Sequence, residues 1–584
     1  MPVTYARLLL VLPGWLAFML YLPALSHGFV WDDNYYLTHL PHLRDPELWL
    51  PKLFEPLFVS HNYFRPLPLF SFVLEARLGG LDPFVFHLTN LLLHAANTTL
   101  VVLLARALIP SGSIAAVCAG LLFAVHPALV ENVVWISDRF DLMMLFFVLL
   151  ALVCELRVSR PPLRGAVVGL LFLLALLCKE PAVVLLALLP LSQAMRYDAM
   201  ADWRQALHAS RANGDATVWG SLLLALLCYL AIRYAAIGLL HQDDSAIGKG
   251  SGLQHLLLVG KTFGWYLGLA LWPFGQTLPV HPAPTPVALG DPAAWLGLLA
   301  GAAVCTSLAY LFRYRPQARR PALAGAMVLA ALAPVSNLVK LTIADNLVHD
   351  RFLMLPIAIL VLALAMLWEA YGRRIVPVVL AGIWGLAAAV SVWSAIPHWE
   401  SNLSLWRWAY AREPGSETAG QNYVAALTDG GRDREAVAVS RALLASRPET
   451  ASTSENLGLV LARLGEYEEA ARLVRRAIEL YAAKQEMANG RHDLGNAYNN
   501  LGSIYLRQSR SDEAERALRR AISLTPHYSQ PHFNLAILLY ERGDWDGGDH
   551  ALALAVRYGT PAMAAVRQRL GNETKKQAQE RSRR

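Results

Sequence analysis

The sequence predicts an all-α protein in two parts, a polytopic helical membrane domain followed by an α-solenoid. Three observations support this prediction. Of the 584 residues 55% are apolar and only 16% are charged, and the apolar ones form long segments in residues 1–395. The charge is uneven, because 49 of the 95 charged residues lie in residues 396–584, which also repeat with a fixed period. This composition excludes an ordinary soluble enzyme and a disordered protein.

The apolar segments of residues 1–395 approach the length that a membrane-spanning helix needs, which is about 20 residues. Candidate spans are residues 8–25, 86–107, 114–125, 133–154, 166–177, 182–191, 219–237, 258–272, 295–312, 322–338, 352–368 and 375–393. A cleaved signal peptide is an alternative for 8–25. The many spans that follow favour an uncleaved first helix.

Arginine-rich loops predict the orientation, because positively charged loops stay on the inner side of a membrane. Placing the loops at 157–164, 196–211, 313–320 and 373–374 inside gives about 11 crossings if the segment from Leu258 to Trp272 does not fully cross. The N-terminus is then inside. Outside lie the loop 27–82, the turns near His126, Lys179 and Asp345, and everything after Trp393. A full crossing at 258–272 inverts this argument.

The net charge of +7 therefore reflects topology, and no nucleic-acid partner is predicted. All five cysteines lie in or beside apolar segments and none follows Cys305. The soluble part has no disulfide framework, and the chain has no CxxC metal-binding pattern.

Residues 396–570 repeat with the period of tetratricopeptide repeats. Aligned asparagines, Asn422, Asn456, Asn500 and Asn534, are 34, 44 and 34 residues apart. Thirty-four is the tetratricopeptide period, and the middle spacing holds an insertion of ten residues within 483–495. We predict about four repeats, followed by a basic tail at 571–584. Stacked repeats form a curved groove that suits a protein or peptide held in extended form.

An acidic pair, Asp32 and Asp33, begins the first outside loop. Such a pair at the membrane surface is suited to act as a general base or to bind a metal ion. The alternative is a helix cap or a headgroup contact. Neighbouring aromatic residues, Trp31, Tyr35 and Tyr36, suit either sugar stacking or an interfacial belt.

Further polar residues lie at or inside the apolar segments, where an ionised group costs about 2.5–3.5 kcal/mol on insertion scales. They are Arg65, His126, Glu131, Arg139, Asp141, Lys179, Glu180, Asp350 and Arg351. Ion pairs that only hold helices together are one interpretation. Their concentration toward one face favours another, a site for an anionic, lipid-linked substrate.

These residues occur in an order that resembles the transmembrane and tetratricopeptide-repeat O-mannosyltransferase family. The elements of the pattern are Val30-Trp31-Asp32-Asp33, Arg65-Pro66-Leu67, Asn90 with His94, His126-Pro127 with Glu131, Ser137 with Arg139 and Asp141, Lys179-Glu180, and Asp350-Arg351 before the repeats. The resemblance covers nearly the whole chain. More distantly, the acidic pair resembles that of the protein O-mannosyltransferases and other GT-C glycosyltransferases.

The resemblance implies an inverting transfer of mannose or another hexose from a polyprenyl-phosphate donor to Ser or Thr hydroxyls of proteins on the outer face. Asp32 is then the first choice for the catalytic base and Asp33 the second. Phosphate binding falls to Arg139, Lys179 and Arg351. Supporting roles fall to Arg65, His126, Glu131, Asp141 and Glu180. No cofactor is expected beside the lipid-linked sugar, and a divalent metal at the acidic pair is the less favoured alternative.

Three other functions are compatible with the sequence. They are a glycosyltransferase with a lipid or polysaccharide acceptor, a membrane-anchored scaffold for envelope proteins, and a transporter. For location, the excess of 43 Arg over 8 Lys favours a bacterial inner membrane with periplasmic repeats. The eukaryotic alternative is the endoplasmic reticulum with lumenal repeats.

Overall fold

A computed structural model describes most of the chain. The described residues are 3–34, 37, 53–54, 63–109, 113–197, 203–238, 251–283, 287–338, 346–372, 375–446, 449–483, 490–559 and 561–583. Within them the regular structure is helical, without a strand, and Pro282 and Asn346 form an isolated β-bridge. The predicted all-α class is confirmed. The chain divides into unit 1, Met1–Leu405, and unit 2, Trp406–Arg584.

Unit 1 consists of apolar helices joined by short turns. Its helices are α1 (Val3–Leu20), α2 (Pro66–Gly79), α3 (Pro83–Leu108), α4 (Ser113–Ala124), α5 (Val130–Val134), α6 (Arg139–Arg157), α7 (Pro161–Cys178), α8 (Leu185–Tyr197), α9 (Trp203–Ala212), α10 (Asp215–Ile237), α11 (Gly252–Leu271), α12 (Pro292–Tyr314), α13 (Arg319–Leu332), α14 (Met354–Ala370) and α15 (Ile375–Ala395). Helix α16 (Asn402–Arg412) runs across the division between the units.

Seven described helices are long and apolar enough to cross a membrane, or eight if one bent pair forms a single span. Unit 1 therefore has the character of a polytopic membrane domain. The number of 11 crossings stays a prediction. Helix α11, which contains the segment predicted not to cross fully, is not among the seven.

Ion pairs between helix termini mark two ends of unit 1. At one end, Lys179 after α7 pairs with Asp141 in the first turn of α6. At the other end, Arg164 in the first turn of α7 pairs with Asp215 at the start of α10, 3.0 Å between Nη2 and Oδ1. We call the first the site end. Arg164 and the other basic loop residues near it lie at the opposite end, as the alternation of α6, α7 and α10 requires.

Glu400 and Asn402, near the end of unit 1, contact the first loop. The backbone N–H of Gly28 donates to the carbonyl of Glu400 at 3.1 Å, and that of Trp31 donates to Asn402 Oδ1 at 2.7 Å. The acidic pair that follows Trp31 therefore lies beside the last residues of unit 1.

A bend of 57° between Ile114–Ala124 and Pro127–Val134 shapes the site end. It falls at His126-Pro127, because proline has no N–H for a helical bond and clashes with the preceding turn. Two short 3₁₀ segments, Pro127–Leu129 and Ile136–Asp138, flank α5. The span predicted at 133–154 thus begins later, as α6. Arg139 and Asp141 are in its first turn rather than inside an apolar helix.

Helices α7 and α10 pack closely near their N-termini. A Cβ atom added at Gly165 would lie 2.8 Å from the carbonyl oxygen of Thr217, and one at Gly169 would lie 2.7 Å from Ser221 Cβ. Small residues allow membrane helices to approach this closely. The contact joins the two helices at the end of unit 1 opposite to the site end.

Unit 2 contains antiparallel helix pairs. They are α17 (Glu417–Asp429) with α18 (Asp433–Ser446), α19 (Ala451–Arg463) with α20 (Tyr467–Ala482), α21 (Gly490–Arg507) with α22 (Ser511–Leu524), and α23 (Ser529–Glu541) with α24 (Trp545–Arg557). A last helix, α25 (Pro561–Arg583), contains most of the predicted tail. The predicted repeat architecture is confirmed. The predicted insertion overlaps residues 484–489, which lie outside the described residues.

Candidate active site

The two acids of the pair have different environments, and Asp33 is the buried one. Its Oδ1 accepts hydrogen bonds from Ser137 N at 2.7 Å and Ser137 Oγ at 2.5 Å, and its Oδ2 accepts from Val30 N at 3.1 Å. Burial raises the pKa of Asp33 to about 7, against the lowering effect of the bonds with Ser137. Asp33 therefore ties the first loop to the turn before α6.

Asp32 is partly exposed, and no described residue donates a hydrogen bond to its carboxylate. Burial raises the pKa of the Asp32 carboxyl above its ordinary value, although the guanidinium of Arg351 acts in the opposite direction. The turn is unusual, since Trp31 has a φ of +54°, a left-handed conformation that is uncommon for a large side chain. Such conformations are concentrated at functional sites.

Arg351 lies in an aromatic environment at the centre of the site end. Its Cζ is 5.7 Å from the ring centroid of Trp31, 5.3 Å from that of Trp135 and 5.2 Å from that of Phe352. The rings of Trp31 and Trp135 stack at 4.6 Å. Arg351 Nη1 also bonds Glu131 Oε1 at 2.5 Å. The tryptophan before the acidic pair is thus in direct contact with the cation.

Lys179 and Asp141 form a buried ion pair next to Arg351. Lys179 Nζ is 5.0 Å from the centroid of the Phe352 ring, so both cations contact the same aromatic side chain. Asn132 joins this group to the bend, because its Nδ2 donates to Asp138 Oδ2 at 2.6 Å and to the carbonyl of Arg351 at 3.0 Å.

Arg65 and Glu180 form a second ion pair, 2.9 Å between Nη2 and Oε2. Arg233 at the end of α10 pairs with the other carboxylate oxygen of Glu180 at 3.2 Å. Burial raises the pKa of Glu180, but the two guanidinium groups outweigh it and the pKa is lowered. The side chain of Arg65 is 14% exposed, so it is more accessible than Arg351 at 10% or Lys179 at 6%.

Arg139 is fully buried, and its donors bond neighbouring helices. It donates to Asn90 Oδ1 at 2.8 Å, to Glu75 Oε2 at 2.5 Å and to the carbonyl of Phe86 at 2.6 Å, and it lies over the ring of Phe72. This geometry gives no support to the predicted role at a donor phosphate, because its donors are occupied and its exposure is 0%.

His126 is also occupied by internal bonds. Its Nδ1 accepts from the backbone of Ala128 at 3.3 Å, and its Nε2 lies 3.0 Å from the carbonyl of Ala270 at the end of α11. His126 therefore caps the segment after the bend and attaches α11 to it. Its supporting role at the site stays a prediction.

The burial of Arg139 leads to a stability prediction. Arg139→Met leaves Glu75 as an uncompensated buried acid, so we expect a loss of about 3–5 kcal/mol in the free energy of unfolding. Thermal unfolding of the purified chain in detergent measures it. Adding Glu75→Leu to Arg139→Met should restore part of the loss.

The matched control is Arg441→Met, which breaks the exposed pair with Glu469 in unit 2 and should leave the midpoint unchanged. An unchanged midpoint for Arg139→Met, together with loss of sugar transfer, would instead support the phosphate role of Arg139.

Polar side chains connect successive repeats in unit 2. Asn500 Nδ2 donates to Glu455 Oε1 at 2.8 Å, and Asn534 Nδ2 donates to Asn499 Oδ1 at 2.9 Å, both between neighbouring helix pairs. Within one pair, Tyr481 OH donates to Glu455 Oε2 at 3.0 Å. Asn500 and Asn534 are two of the four aligned asparagines. Their role in this structure is therefore to link repeats to each other.

Several residues that shape the site were not predicted. Ser137 holds Asp33, Asn132 joins Asp138 to Arg351, and Phe352 contacts both Lys179 and Arg351. These are small, amide or aromatic residues in apolar surroundings. The sequence gives them no charge signal, and their partners are distant along the chain. The motif order was the one signal that included Ser137.

Curated proteins similar to this chain carry the name protein O-mannosyl-transferase. Tmtc1 of Drosophila melanogaster is 39% identical over 184 residues, which are 30% of this chain and 21% of that protein. Tmtc2 of the same organism is 34% identical over 233 residues, 37% of this chain and 24% of that protein. TMTC4 of Mus musculus is 26% identical over 317 residues, which are 47% of this chain and 42% of that protein. The chain thus spans about a fifth to two fifths of the length of these relatives.

Family models described as tetratricopeptide repeat match residues 426–484 and 495–528. Two solved structures each match less than a third of this chain. The crystal structure of MamA is 18% identical and covers 27% of this chain and 85% of its own, with a TM-score of 0.23. The structure of YrrB, titled a TPR protein with an unusual peptide-binding site, is 17% identical and covers 29% and 81%, with a TM-score of 0.23.

Proposed function

Because the chain fits the transmembrane and tetratricopeptide-repeat O-mannosyltransferase family, we propose that it transfers a hexose from a polyprenyl-phosphate donor to Ser or Thr hydroxyls of proteins. The observation that carries the proposal is the position of a partly exposed carboxylate, Asp32, within electrostatic range of Arg351. This combines a base for the acceptor hydroxyl with a cation for the departing phosphate at one end of a membrane domain.

Asp32 is the catalytic base in this proposal. The acceptor oxygen forms a bond to the anomeric carbon while the bond from that carbon to the phosphate oxygen breaks. The hydroxyl proton passes to Asp32, and attack opposite the leaving group inverts the anomeric centre. Asp33 positions Asp32, since its own oxygens are bonded to Val30 and Ser137. The same bonds make Asp33 a poor metal ligand.

Arg351 and Lys179 stabilise the departing polyprenyl phosphate. Phosphate is a weak base, so it needs positive charge more than it needs a proton. Arg351 suits this role because guanidinium contacts two phosphate oxygens at once. Glu131 forms an ion pair with Arg351, and Asp141 forms one with Lys179. Arg65, which pairs with Glu180, is a more exposed cation at the same end and could also contact the phosphate.

An apolar cleft next to the site suits the polyprenyl chain. It has a volume of about 230 Å³ and lies between α11, α12, α13 and α14, with Leu267, Leu308 and Leu360 among its lining residues. Tyr266 and Leu353 also line it, and Leu353 is two residues after Arg351. A lipid chain in this cleft can place its phosphate near the guanidinium.

The protein acceptor is proposed to bind the repeats. Tetratricopeptide helix pairs form a curved groove that suits an extended peptide. The relatives named above are animal proteins, so they give no support to a bacterial membrane. We also propose that the transfer takes place at the outer face of the membrane. Which cellular compartment this is depends on the source organism.

The test is intact-mass glycoproteomics of membrane and secreted proteins from cells with wild type, a deletion, or Asp32→Asn at matched expression. We expect a hexose-sized mass to disappear from specific Ser or Thr sites in both the deletion and the variant. Tyr21→Phe, a buried change away from the acidic pair, is the matched control and should keep every site modified.

Three outcomes would contradict the proposal in different ways. Loss of hexose from lipids or polysaccharide alone would favour the other acceptor classes. A deletion phenotype that Asp32→Asn rescues, with every glycan unchanged, would favour a scaffold. Unchanged glycans together with altered uptake of a solute would favour a transporter.

A further inference from the structure

The site end contains a group of buried polar atoms that make no hydrogen bond within the described part of the chain. They are Glu131 Oε2, Asn132 Oδ1, Trp135 Nε1, Trp265 Nε1, the Tyr266 hydroxyl, and both ring nitrogens of His349. We call these six residues the polar cluster. Buried polar groups are nearly always bonded, so each exception needs an explanation.

The polar cluster surrounds Arg351 from three elements. Glu131 pairs with its guanidinium, Asn132 bonds its carbonyl, and the ring of Trp135 lies 5.3 Å from its Cζ. From α11, the Tyr266 hydroxyl lies close to the backbone N–H of His349 and within electrostatic range of Arg351 and Glu131. The ring of the adjacent Trp265 is 5.4 Å from that of His281, which bonds Asp350.

The chemistry of these atoms identifies the ligand class. The indole N–H groups and the tyrosine hydroxyl donate, whereas Glu131 Oε2 and Asn132 Oδ1 accept. The phosphodiester of the donor has no proton to donate, so it would leave the acceptor atoms Glu131 Oε2 and Asn132 Oδ1 without a hydrogen bond. A sugar hydroxyl both donates and accepts, and the C–H faces of a hexose pack on aromatic rings.

We propose that the polar cluster is the subsite that binds the hexose ring of the donor, with Trp265 and Tyr266 contacting its hydroxyls directly. The inference rests on the proposed function and adds the residues that recognise the sugar. Tyr266 also lines the apolar cleft. The donor then lies along one path, with its chain in the cleft, its phosphate at Arg351 and its sugar in the polar cluster.

Binding of two synthetic probes to the full chain in detergent tests this subsite without requiring turnover. The probes are farnesyl phosphate and farnesyl-phosphoryl-mannose, with the glucose and galactose analogues to report on stereochemistry. We expect wild type to bind at least one sugar-bearing probe about 10-fold or more tightly than farnesyl phosphate, because hydrogen bonds of this kind each change affinity by several-fold.

Two variants remove a hydrogen-bonding group from the polar cluster. Tyr266→Phe removes the hydroxyl and keeps the ring, and Trp265→Phe removes the indole N–H and replaces the indole with a smaller aromatic ring. Each should abolish most of the preference for the sugar-bearing probe and leave affinity for farnesyl phosphate unchanged. The ligand-free midpoint of Tyr266→Phe should stay equal or rise, since an unmade hydrogen bond is removed. Tyr21→Phe removes another unbonded buried hydroxyl and is the matched control. It should keep the preference.

The outcomes separate this inference from the proposed function. If wild type binds farnesyl phosphate and the sugar-bearing probes equally, the sugar subsite is rejected and the lipid-phosphate donor survives. If wild type prefers a sugar that both variants still prefer, the polar cluster is not the subsite. If no probe binds, both the donor class and the subsite are rejected.

Discussion

Asp32→Asn should reduce kcat for sugar transfer by about 10²–10⁴-fold, the range typical of a general base. The variant keeps the size of the side chain and removes its ability to accept the hydroxyl proton. We expect no loss of thermal stability, because no described residue donates a hydrogen bond to Asp32. The measurement is transfer from a polyprenyl-phosphoryl-hexose to a Ser- or Thr-containing peptide, with the unfolding midpoint recorded for the same sample.

Asp33→Asn is the matched comparison, because it makes the same chemical change at the adjacent residue. One oxygen becomes an amide that cannot accept a bond from Val30 or Ser137, so a buried contact is lost. This variant should lower the midpoint, and its activity should fall with the amount of folded protein. Equal losses of activity per folded molecule in both variants would contradict the separate roles of the two acids.

The features predicted correctly from the sequence are those that depend on residues close together in the chain. The asparagine spacing predicted the repeats, because each repeat is built from residues that are neighbours in the chain. The acidic pair also belongs to one short segment. Which acid is accessible depends instead on Ser137, 104 residues away from Asp33, and on the left-handed turn at Trp31. No periodicity reports such a contact.

Arg139 and Arg351 show even more clearly that tertiary contacts cannot be predicted from the sequence pattern. Arg139 and Arg351 look alike in sequence, as single arginines next to an acid at the start of an apolar segment. In the structure Arg139 is enclosed by Asn90, Glu75 and Phe86, whereas Arg351 lies among aromatic rings near Asp32. Both arginines are buried, but the partners of their guanidinium groups differ, and tertiary packing determines those partners. Trp265 and Tyr266 could not be predicted, because only the folded structure shows whether a buried polar atom lacks a hydrogen-bond partner.

Arg351→Gln should lower kcat by about 10²–10³-fold, because a preorganised charge at the leaving phosphate is lost. The variant should also change the pH dependence of activity, because Arg351 affects the pKa of Asp32. Burial raises the pKa of Asp32 and Arg351 lowers it, so removing Arg351 raises that pKa further. The base acts when ionised, and activity falls as the pH drops through its pKa. The acidic limb of the profile should therefore move to higher pH in the variant.

The pH shift distinguishes a direct electrostatic role from simple misfolding. Arg351→Gln leaves Glu131 unpaired, so the double variant with Glu131→Gln is the control that removes the buried acid as well. It should recover part of any lost stability and keep the shifted acidic limb. Lys179→Met, which removes a cation next to Phe352 and Asp141, should lower activity with a smaller shift, since Asp32 is coupled to Arg351. An acidic limb that stays in place when Arg351 is replaced would mean that another group is the base.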